Sequence, residues 1–333
     1  MRTVTLGKDL TVGAVGLGCM GFSHAYGPAT GEREAAKFIR EAYYMGYRFF
    51  DTAEVYGTAE DPHVNERIVG EAMHGLRSDV VIASKFGLRF DLESGAVPYP
   101  LIPDSRPETI RKSVEGSMKR LKTDHIDLYF QHRIDPAVEP EAVAQVMADL
   151  IKEGKITHWG ISEANEEYLR RAHAVCPVTA IENRYSMMAR HHAALFPVLK
   201  ELGIGFVAFS PMANGFLTGA YGKGQRFDSA TDYRAAMPQF TDEAVEKNRT
   251  LLELLHDTAA KHNATSAQIS LAWMIDRPEH VVPIPGSRKP ERMRENIGAG
   301  DINLTADEIA ALDAALDGME MSAVYGGTEL KNG

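Results

Sequence analysis

Four polar side chains follow apolar, strand-like segments and could together perform acid–base chemistry. Asp51 ends the segment YRFFD, Tyr56 lies in the loop after it, Lys85 ends VVIASK and His132 ends IDLYFQH. In an α/β barrel the catalytic groups lie at the carboxyl ends of the strands, which meet on one rim. We therefore expect Asp51, Tyr56, Lys85 and His132 to form one titratable site.

A tyrosine next to a lysine is typical of a proton donor. The phenol has an ordinary pKa of about 10, and a neighbouring ammonium lowers the pKa of Tyr56 toward the working range by favouring phenolate. Asp51 would pair with Lys85 and keep it charged, while a neutral His132 would donate a ring N–H to a substrate oxygen. Taken alone, each residue has an ordinary structural explanation, so the prediction rests on all four together.

The elements that must position these residues alternate regularly along the chain. Short apolar segments alternate with amphipathic helical stretches from residue 12 to about 297, the pattern of a parallel sheet covered by helices. We predict one α/β domain, a (β/α)8 TIM barrel over residues 1–333, with a C-terminal tail from about 318 to 333. Eight strands are expected, at 12–17, 47–51, 80–85, 126–132, 156–162, 178–183, 205–210 and 280–285.

Further elements surround the predicted barrel. The N-terminal residues RTVTLGKDLTV indicate a β-hairpin about Gly7, which would plug the N-terminal mouth of the barrel. A capping box is predicted at Ser105, before the helix IRKSVEGSMKRL. The residues Thr305-Ala306-Asp307-Glu308 are predicted to open an extra C-terminal helix, EIAALDAAL. The segment 212–240 is too long for a simple connection, so we expect a lid or a pocket wall there.

Composition and charge restrict the class of function. The 333 residues include 36 basic and 46 acidic side chains, and the resulting net charge of −10 argues against nucleic acid or an anionic membrane as the main partner. The sequence contains neither a signal-like segment nor a membrane-spanning apolar run, so a cytoplasmic location is expected. Cys19 and Cys176 lie far apart without a metal-binding or disulfide spacing, and we predict no metal site.

One motif points in another direction. Residues 16–21, GLGCMG, match the dinucleotide-binding pattern G-x-G-x-x-G after an apolar strand. That pattern must open a helix whose N-terminus receives a pyrophosphate, but Gly27, Pro28 and Gly31 oppose a helix in the residues that follow. We therefore reject a Rossmann fold for this chain.

The motifs of the chain resemble those of the aldo-keto reductase family over essentially its whole length. The resemblance rests on DTAEVYG with Asp51 and Tyr56, on SK with Lys85, and on DLYFQHRIDP with His132. GLGCMGF, GISEAN, FSPMANGFLTG and IPGSRKPERMREN are also similar to family motifs. This family resemblance implies reduction of an aldehyde or ketone by NADPH, in which Tyr56 protonates the carbonyl oxygen and the nicotinamide supplies a hydride.

The resemblance also implies a site for the 2′-phosphate of the cofactor. Ser287, Arg288 and Arg292 lie at the predicted start of a helix, where backbone N–H groups and basic side chains suit a phosphate. By the same resemblance, Glu295 and Asn296 would contact the adenine. The cofactor predicted here is therefore NADPH or NADP+.

Other cofactor and substrate contacts are assigned by resemblance alone. Tyr185 would stack on the nicotinamide ring, and Ser210 would contact the phosphate bridge. Candidates for the apolar substrate wall are Phe22, Tyr26 and Phe216. The remaining cofactor residues are predicted to be Gly18, Cys19, Met20, Ser162, Glu163, Glu182, Pro211, Met212, Gly215, Leu217 and Gly286.

The chain departs from the family where the nicotinamide carboxamide should bind. Many members have Asn and Gln there, whereas this chain has Glu163 after Ser162, and Glu182. An ionised carboxylate cannot donate a hydrogen bond, so Ser162 must donate to the carboxamide oxygen or one carboxyl must stay protonated. We expect Glu182 to have a raised pKa and to weaken NADPH binding as the pH rises. Alternatively, Asn183 or Asn165 takes the amide role.

Two other functions are compatible with parts of this pattern. A regulatory or sensor subunit of the same fold, such as the potassium-channel β subunits of the family, would bind NADP(H) with little turnover. A barrel lyase or isomerase would use Lys85 as a Schiff-base amine, but Asp51 and Tyr56 would then have no role. The motifs do not determine the physiological substrate, the preferred direction or whether the chain forms a homo-oligomer.

Overall fold

The fold is an α/β barrel. The computed structural model describes residues 2–96, 99–277 and 281–324. In this part of the chain the strands are β1 (Thr3–Leu6), β2 (Leu10–Gly13), β3 (Leu17–Gly18), β4 (Phe49–Asp51), β5 (Val81–Phe86), β6 (Leu88–Phe90), β7 (Leu101–Pro103), β8 (Ile126–Gln131), β9 (Ile156–Ser162), β10 (Ala180–Arg184), β11 (Gly205–Phe209) and β12 (Val281–Pro283). Eight of these described strands form one parallel sheet in the order β3-β4-β5-β8-β9-β10-β11-β12.

The sheet closes on itself where its first and last strands meet. Gly16 N donates to Pro283 O at 3.0 Å, and Gly18 N donates to Pro285 O at 3.4 Å. A Cβ on Gly18 would lie only 2.7 Å from Ile284 O, so this approach requires glycine. The predicted TIM barrel is therefore confirmed, and Gly16 and Gly18 of GLGCMG serve barrel closure in place of a Rossmann turn.

Helices cover the outside of the barrel. In α1 (Glu32–Met45), Ala35, Ile39 and Ala42 are buried at the three- and four-residue spacing of an amphipathic helix. The other described helices are α2 (Val64–Ala72), α3 (Pro107–Leu121), α4 (Pro140–Lys152), α5 (Glu166–Val175), α6 (Phe196–Leu202), α7 (Asp242–Lys247), α8 (Arg249–Lys261), α9 (Ser266–Ile275), α10 (Pro290–Gly298) and α11 (Ala306–Asp317). Among the residues described, none of these helices is long and apolar enough to cross a lipid bilayer.

The predicted N-terminal hairpin is confirmed. Strands β1 and β2 pair antiparallel about a turn in which Gly7 has a φ of 60°. A Cβ on Gly205 would lie 2.5 Å from Leu6 Cδ2, so the hairpin packs directly onto the start of β11. This contact places the hairpin against the N-terminal end of the barrel strands, as the plug hypothesis requires.

The predicted first strand, 12–17, is wrong in its extent. Val12 belongs to β2, and the barrel strand that follows consists only of Leu17 and Gly18. The apolar run VGAVGL therefore contains the end of one strand and the start of another. Of the predicted last strand, residue 280 lies outside the described residues, as does the tail from 325 onward.

The predicted helix starts have different outcomes. The extra C-terminal helix is confirmed as α11, and Thr305 forms a capping box with Glu308 at its start. The capping box at Ser105 is wrong, because α3 begins one residue later with Arg106 as its N-cap and no side-chain cap. Ser105 instead accepts a hydrogen bond from the Gln131 side chain, so a tertiary contact uses the hydroxyl.

Candidate active site

The four side chains predicted to form an acid–base site lie together at the carboxyl end of the barrel. Asp51 ends β4, Lys85 lies near the end of β5, and His132 directly follows β8. Lys85 Nζ lies 2.6 and 2.7 Å from the two Asp51 carboxylate oxygens and 3.0 Å from the Tyr56 hydroxyl. The rings of Tyr56 and His132 meet edge to face, with centroids 5.5 Å apart.

The lysine at the centre of this group is fully buried and stays charged. Besides its contacts with Asp51 and Tyr56, Lys85 Nζ donates to the carbonyl oxygen of Thr52 at 3.1 Å. Burial alone would lower the pKa of Lys85, but Asp51 and Glu182 act in the opposite direction and raise it above its ordinary value. Lys85 is therefore an ammonium group aimed at the phenol.

A fifth titratable group adjoins the site. Glu182 Oε1 lies 3.3 Å from Lys85 Nζ, whereas Glu182 Oε2 is buried without a hydrogen-bond partner among the described residues. Burial, and next the neighbouring Asp51 carboxylate, raise the pKa of Glu182 to about 8. Glu182 therefore carries a proton in most molecules at neutral pH.

The tyrosine is held as a neutral phenol. Burial raises the pKa of Tyr56; Lys85 lowers it, and Asp51 and Glu182 raise it further. The expectation that Lys85 brings the pKa of Tyr56 down toward the working range is therefore wrong, because burial and the two carboxyl groups outweigh one ammonium. The proton that a general acid must donate is in place at neutral pH.

The histidine is neutral, as the acid–base hypothesis requires. Burial, together with the positive charges of Arg133 and Lys85, holds the pKa of His132 well below its ordinary value. Its Nδ1 is buried and has no partner in the described part of the chain. A ring nitrogen of His132 is thus available to a ligand polar group.

A cavity of about 650 Å³ opens at this rim. Asp51, Tyr56 and His132 line it, while Lys85 lies buried behind them. The predicted cofactor and substrate residues that also line it are Gly18, Met20, Phe22, Tyr26, Ser162, Glu182, Ser210, Pro211, Met212, Gly215, Gly286, Ser287, Arg288, Arg292, Glu295 and Asn296.

Two loops joined to each other form part of the cavity wall. Tyr26, in the loop 20–30, forms a β-bridge with Asp232 of the segment 212–240. Asn214 Nδ2 donates to the Tyr26 hydroxyl at 2.8 Å. The segment 212–240 therefore forms a wall of the pocket, as predicted from its length.

The basic start of α10 belongs to the same cavity. Arg288 donates to the carbonyl oxygens of Tyr26 and Pro28 and so ties this region to the loop 20–30. Arg292 forms an ion pair of 2.6 Å with Glu295, one turn further along the helix. Both guanidinium groups thus line the cavity with defined protein partners.

Two of the residues assigned to the nicotinamide lie elsewhere. Tyr185 is buried and stacks on Trp273, with ring centroids 5.3 Å apart, and it is not part of the described cavity lining. Glu163 accepts a hydrogen bond from the backbone N–H of Arg184 and lies 3.7 Å from His192. The structure thus contradicts both assignments, because these side chains point away from the cavity.

Three further assignments fail for a similar reason. Cys19 is fully buried, and its thiol points at the carbonyl oxygen of Leu17. Phe216 packs against Phe240, and Leu217 is also in the hydrophobic core. None of these three side chains is part of the cavity lining formed by the described residues.

The alternative amide residues are also committed elsewhere. Asn183 exchanges two hydrogen bonds of 3.1 Å with the backbone of Ala164. Asn165 caps α5 by accepting from the Tyr168 N–H at 2.9 Å. Of the carboxyl and amide side chains considered for the carboxamide, Glu182 is therefore the one in the cavity.

Sequence reasoning missed several residues of the wall. Phe209, at the end of β11, lines the cavity, and the guanidinium groups of Arg133 and Arg184 lie 6.0 and 5.7 Å from the centre of its ring. Strand alternation was the available signal, because Phe209 shares a face with Val207 and so with the interior of the barrel. The other missed lining residues include His24, Val55, Leu88, Leu101, Asn214, Tyr221, Tyr233, Arg234 and Met237.

Comparisons with known proteins agree with this arrangement. The model of the aldo/keto reductase family matches residues 14–317. A Glycine max protein named probable aldo-keto reductase 1 is 37% identical over 319 residues, which cover 95% of this chain and 89% of the relative.

Two solved structures with the same fold are named as a dehydrogenase and an aldo-keto reductase. The glycerol dehydrogenase AKR11B4 from Gluconobacter oxydans superposes with a TM-score of 0.81 at 27% identity, over 94% of each chain. The holo form of aldo-keto reductase AKR11C1 from Bacillus halodurans has a TM-score of 0.75 at 26% identity, over 98% of this chain and 99% of that one.

Proposed function

The chain belongs to the aldo/keto reductase family, and on that premise we propose that it reduces a small aldehyde or ketone with NADPH. Family membership supports an oxidoreductase that acts on carbonyl groups with a nicotinamide cofactor. The preference for NADPH and the role of Tyr56 are inferences from the residues of this chain. Four observations of the cavity support them.

The floor of the cavity fits a nicotinamide. Glu182 Oε2 and His132 Nδ1 are buried polar atoms without a partner among the described residues, as expected where a ligand supplies the missing hydrogen bonds. Phe209 offers an apolar ring for stacking, next to the polar Ser210. Ser162 and Glu182 are paired on adjacent strands, β9 and β10, and would hold the carboxamide.

The start of α10 fits a phosphate. Ser287, Arg288 and Arg292 line the cavity at the start of α10, and the positive end of a helix dipole favours an anion there. Two guanidinium groups suit the doubly charged 2′-phosphate that distinguishes NADPH from NADH. Glu295 and Asn296, on the next turn, would contact the adenine.

The rim residues divide the chemistry among them. When bound, the reduced nicotinamide would supply a hydride to the carbonyl carbon. Tyr56 donates its phenolic proton to the carbonyl oxygen, and Lys85, 3.0 Å away, stabilises the phenolate that remains. Neutral His132 orients the oxygen with its ring nitrogen, and Asp51 holds Lys85 in place through two short hydrogen bonds.

The observation that carries the proposal is the chain of contacts from Asp51 through Lys85 to a protonated Tyr56 at the cavity. The same chain of contacts argues against an enzyme that uses Lys85 to form a Schiff base. Such an enzyme needs an unprotonated amine facing substrate, whereas Lys85 is buried, charged and donates to three protein groups. A proton donor is the role that this geometry favours.

Replacement of Tyr56 by phenylalanine tests the proposal. Tyr56→Phe removes one hydroxyl and is expected to bind NADPH like the unmodified protein, as measured by fluorescence titration. Its turnover on the best of a panel of aldehydes, ketones and sugars should fall by about 10²–10⁴-fold. The matched control is Tyr43→Phe, which removes a hydroxyl bonded to Asp79 on the outer surface of the barrel.

Each outcome of this experiment has a separate meaning. Unchanged turnover of Tyr56→Phe would remove Tyr56 as the proton donor. NADPH binding without turnover of any substrate in the unmodified protein would favour a regulatory or sensor subunit. Borohydride trapping of substrate on Lys85 would restore the Schiff-base alternative.

A further inference from the structure

Glu182 occupies a position where a buried carboxyl needs a proton or a positive charge. Its side chain is 3% exposed and lies at the cavity floor, with Oε1 3.3 Å from Lys85 Nζ. Lys85 already donates to both oxygens of Asp51 at 2.6 and 2.7 Å. One ammonium thus faces two carboxyl groups, and the second carboxyl has the longer and weaker contact.

The local charge balance determines where the proton resides. With Asp51 and Glu182 both ionised, the buried group would carry an uncompensated negative charge, which is costly at low dielectric. The two carboxyl groups, Asp51 and Glu182, therefore retain one proton between them. Because Asp51 holds the shorter contacts with Lys85, Glu182 is the group that keeps it, and its pKa is raised to about 8.

The charged groups around Glu182 include Arg133, whose guanidinium donates to the Ser162 hydroxyl at 3.1 Å and lines the cavity together with Arg184. Asp51 of β4, Lys85 of β5 and the Tyr56 phenol are the titratable groups that act on it. The residues paired with Glu182 on the adjacent strands are the uncharged Ser162 and Val207. A positive charge arriving from the cavity would therefore change the protonation of Glu182 first.

We propose that Glu182 distinguishes the two oxidation states of a bound nicotinamide through its own proton. This inference rests on the proposed function, in which the cavity takes NADPH or NADP+. Protonated Glu182 donates from its carboxyl to the carboxamide of the neutral, reduced ring. Against the cationic, oxidised ring the carboxyl ionises, and its proton passes to solvent without any electron transfer.

The consequence is a proton count that differs between the two forms of one cofactor. Binding of NADP+ at pH 7 should release about one proton, whereas binding of NADPH should release none from Glu182. The affinity for NADP+ should accordingly rise with pH by up to about tenfold per pH unit while Glu182 titrates. The 2′-phosphate also titrates, but NADP+ and NADPH both carry it, so its contribution cancels in the comparison.

Isothermal titration calorimetry measures this directly. Titrations of the full chain with NADP+ and with NADPH in buffers of different ionisation enthalpy give the number of protons exchanged. Glu182→Gln keeps the size of the side chain and cannot ionise, so the difference between the two cofactors should vanish. Glu163→Gln is the matched control, because Glu163 is a carboxyl directly after β9 that points away from the cavity.

The results separate this inference from the proposed function. If neither cofactor binds, the proposed function fails. If both bind but exchange the same number of protons in the unmodified protein, the role of Glu182 is refuted without any variant. A difference that persists in Glu182→Gln would assign the proton to another group and would equally refute the proposal.

Discussion

Removal of the buried ammonium provides a direct test of how the site is held together. Lys85→Met replaces the lysine by an uncharged chain of similar length. The substitution removes donors to both Asp51 oxygens, to Thr52 O and to the Tyr56 hydroxyl. Asp51 is left as a buried carboxyl without a counter-ion, next to Glu182.

The cost follows from the burial of these partners. Breaking a buried ion pair by removal of one partner typically costs about 3–5 kcal/mol, because the remaining charge is uncompensated. A protonated Glu182 can donate to Asp51 and offset part of this loss. We therefore expect the free energy of unfolding of Lys85→Met to fall by about 3 kcal/mol near neutral pH and by more at higher pH.

The sign of the pH dependence is determined by the carboxyl groups. Burial already raises the pKa of Asp51 and the pKa of Glu182 in the folded protein, and Lys85 opposes this effect. Without Lys85, both folded-state pKa values rise further above their unfolded values. Such carboxyls destabilise the fold increasingly as the pH rises above the unfolded pKa, and they cost nothing where both states are protonated. The loss of unfolding free energy caused by Lys85→Met should hence be larger at pH 8 than at pH 5, by at least about 1 kcal/mol.

Urea unfolding followed by circular dichroism at both pH values provides the measurement. Lys37→Met, which removes an exposed lysine, is the control and should change the unfolding free energy by less than about 0.5 kcal/mol. The double variant Lys85→Met, Asp51→Asn should recover part of the stability. A loss below about 1 kcal/mol, or a deficit equal at the two pH values, would refute the buried charge pair as described.

Two further substitutions test other parts of the structure. Arg292→Ala should weaken NADPH binding about tenfold and leave NADH binding nearly unchanged in fluorescence titrations. The expected loss is at the low end of the range for charged hydrogen bonds, because the guanidinium is half-exposed and is shared with Glu295. Equal losses of affinity for the two cofactors would place the 2′-phosphate elsewhere. Gly70→Ala should lower the unfolding free energy by about 1–3 kcal/mol, since its Cβ would lie 2.4 Å from the Arg120 carbonyl oxygen. Gly222→Ala, with open space around it, is the control, and equal stabilities of the two variants would contradict this account.

The barrel and its acid–base group were predictable because they depend on periodicity alone. Parallel strands place their carboxyl ends on one rim, so polar residues that end successive apolar segments must converge. Asp51, Lys85 and His132 meet for this reason, although they are far apart in the chain. No side-chain detail is needed for that inference.

The element ends were less predictable because tertiary contacts decide them. Ser105 has the residue type and spacing of an N-cap, but Gln131 and Asp135 occupy its hydroxyl and backbone N–H. The run VGAVGL is uniformly apolar, and only pairing with β1 separates Val12 from the barrel strand. Gln131 and Asp135 are distant from Ser105 in sequence, whereas β1 is near Val12 but leaves no mark in the apolar run.

Strand alternation accounts for the errors around the nicotinamide. Glu182 and Arg184 of β10 both line the cavity, so the next residue, Tyr185, must point outward, where it stacks on Trp273. By the same two-residue period on β11, Phe209 faces inward. The aromatic ring that the cavity offers a nicotinamide is therefore on β11, and family resemblance placed it one strand too early.

The same period explains why the carboxyl at Glu182 has no nearby substitute. Asn183 follows it directly and so must face the opposite side of the sheet, where both ends of its amide bond the Ala164 backbone. On β10, the inward-facing position next to Lys85 is residue 182, whose carboxyl lies 3.3 Å from Lys85 Nζ. A carboxyl here leaves one more ionisable proton in the buried group than an amide would. The proposed proton-linked cofactor binding thus depends on one side chain whose orientation the sheet determines.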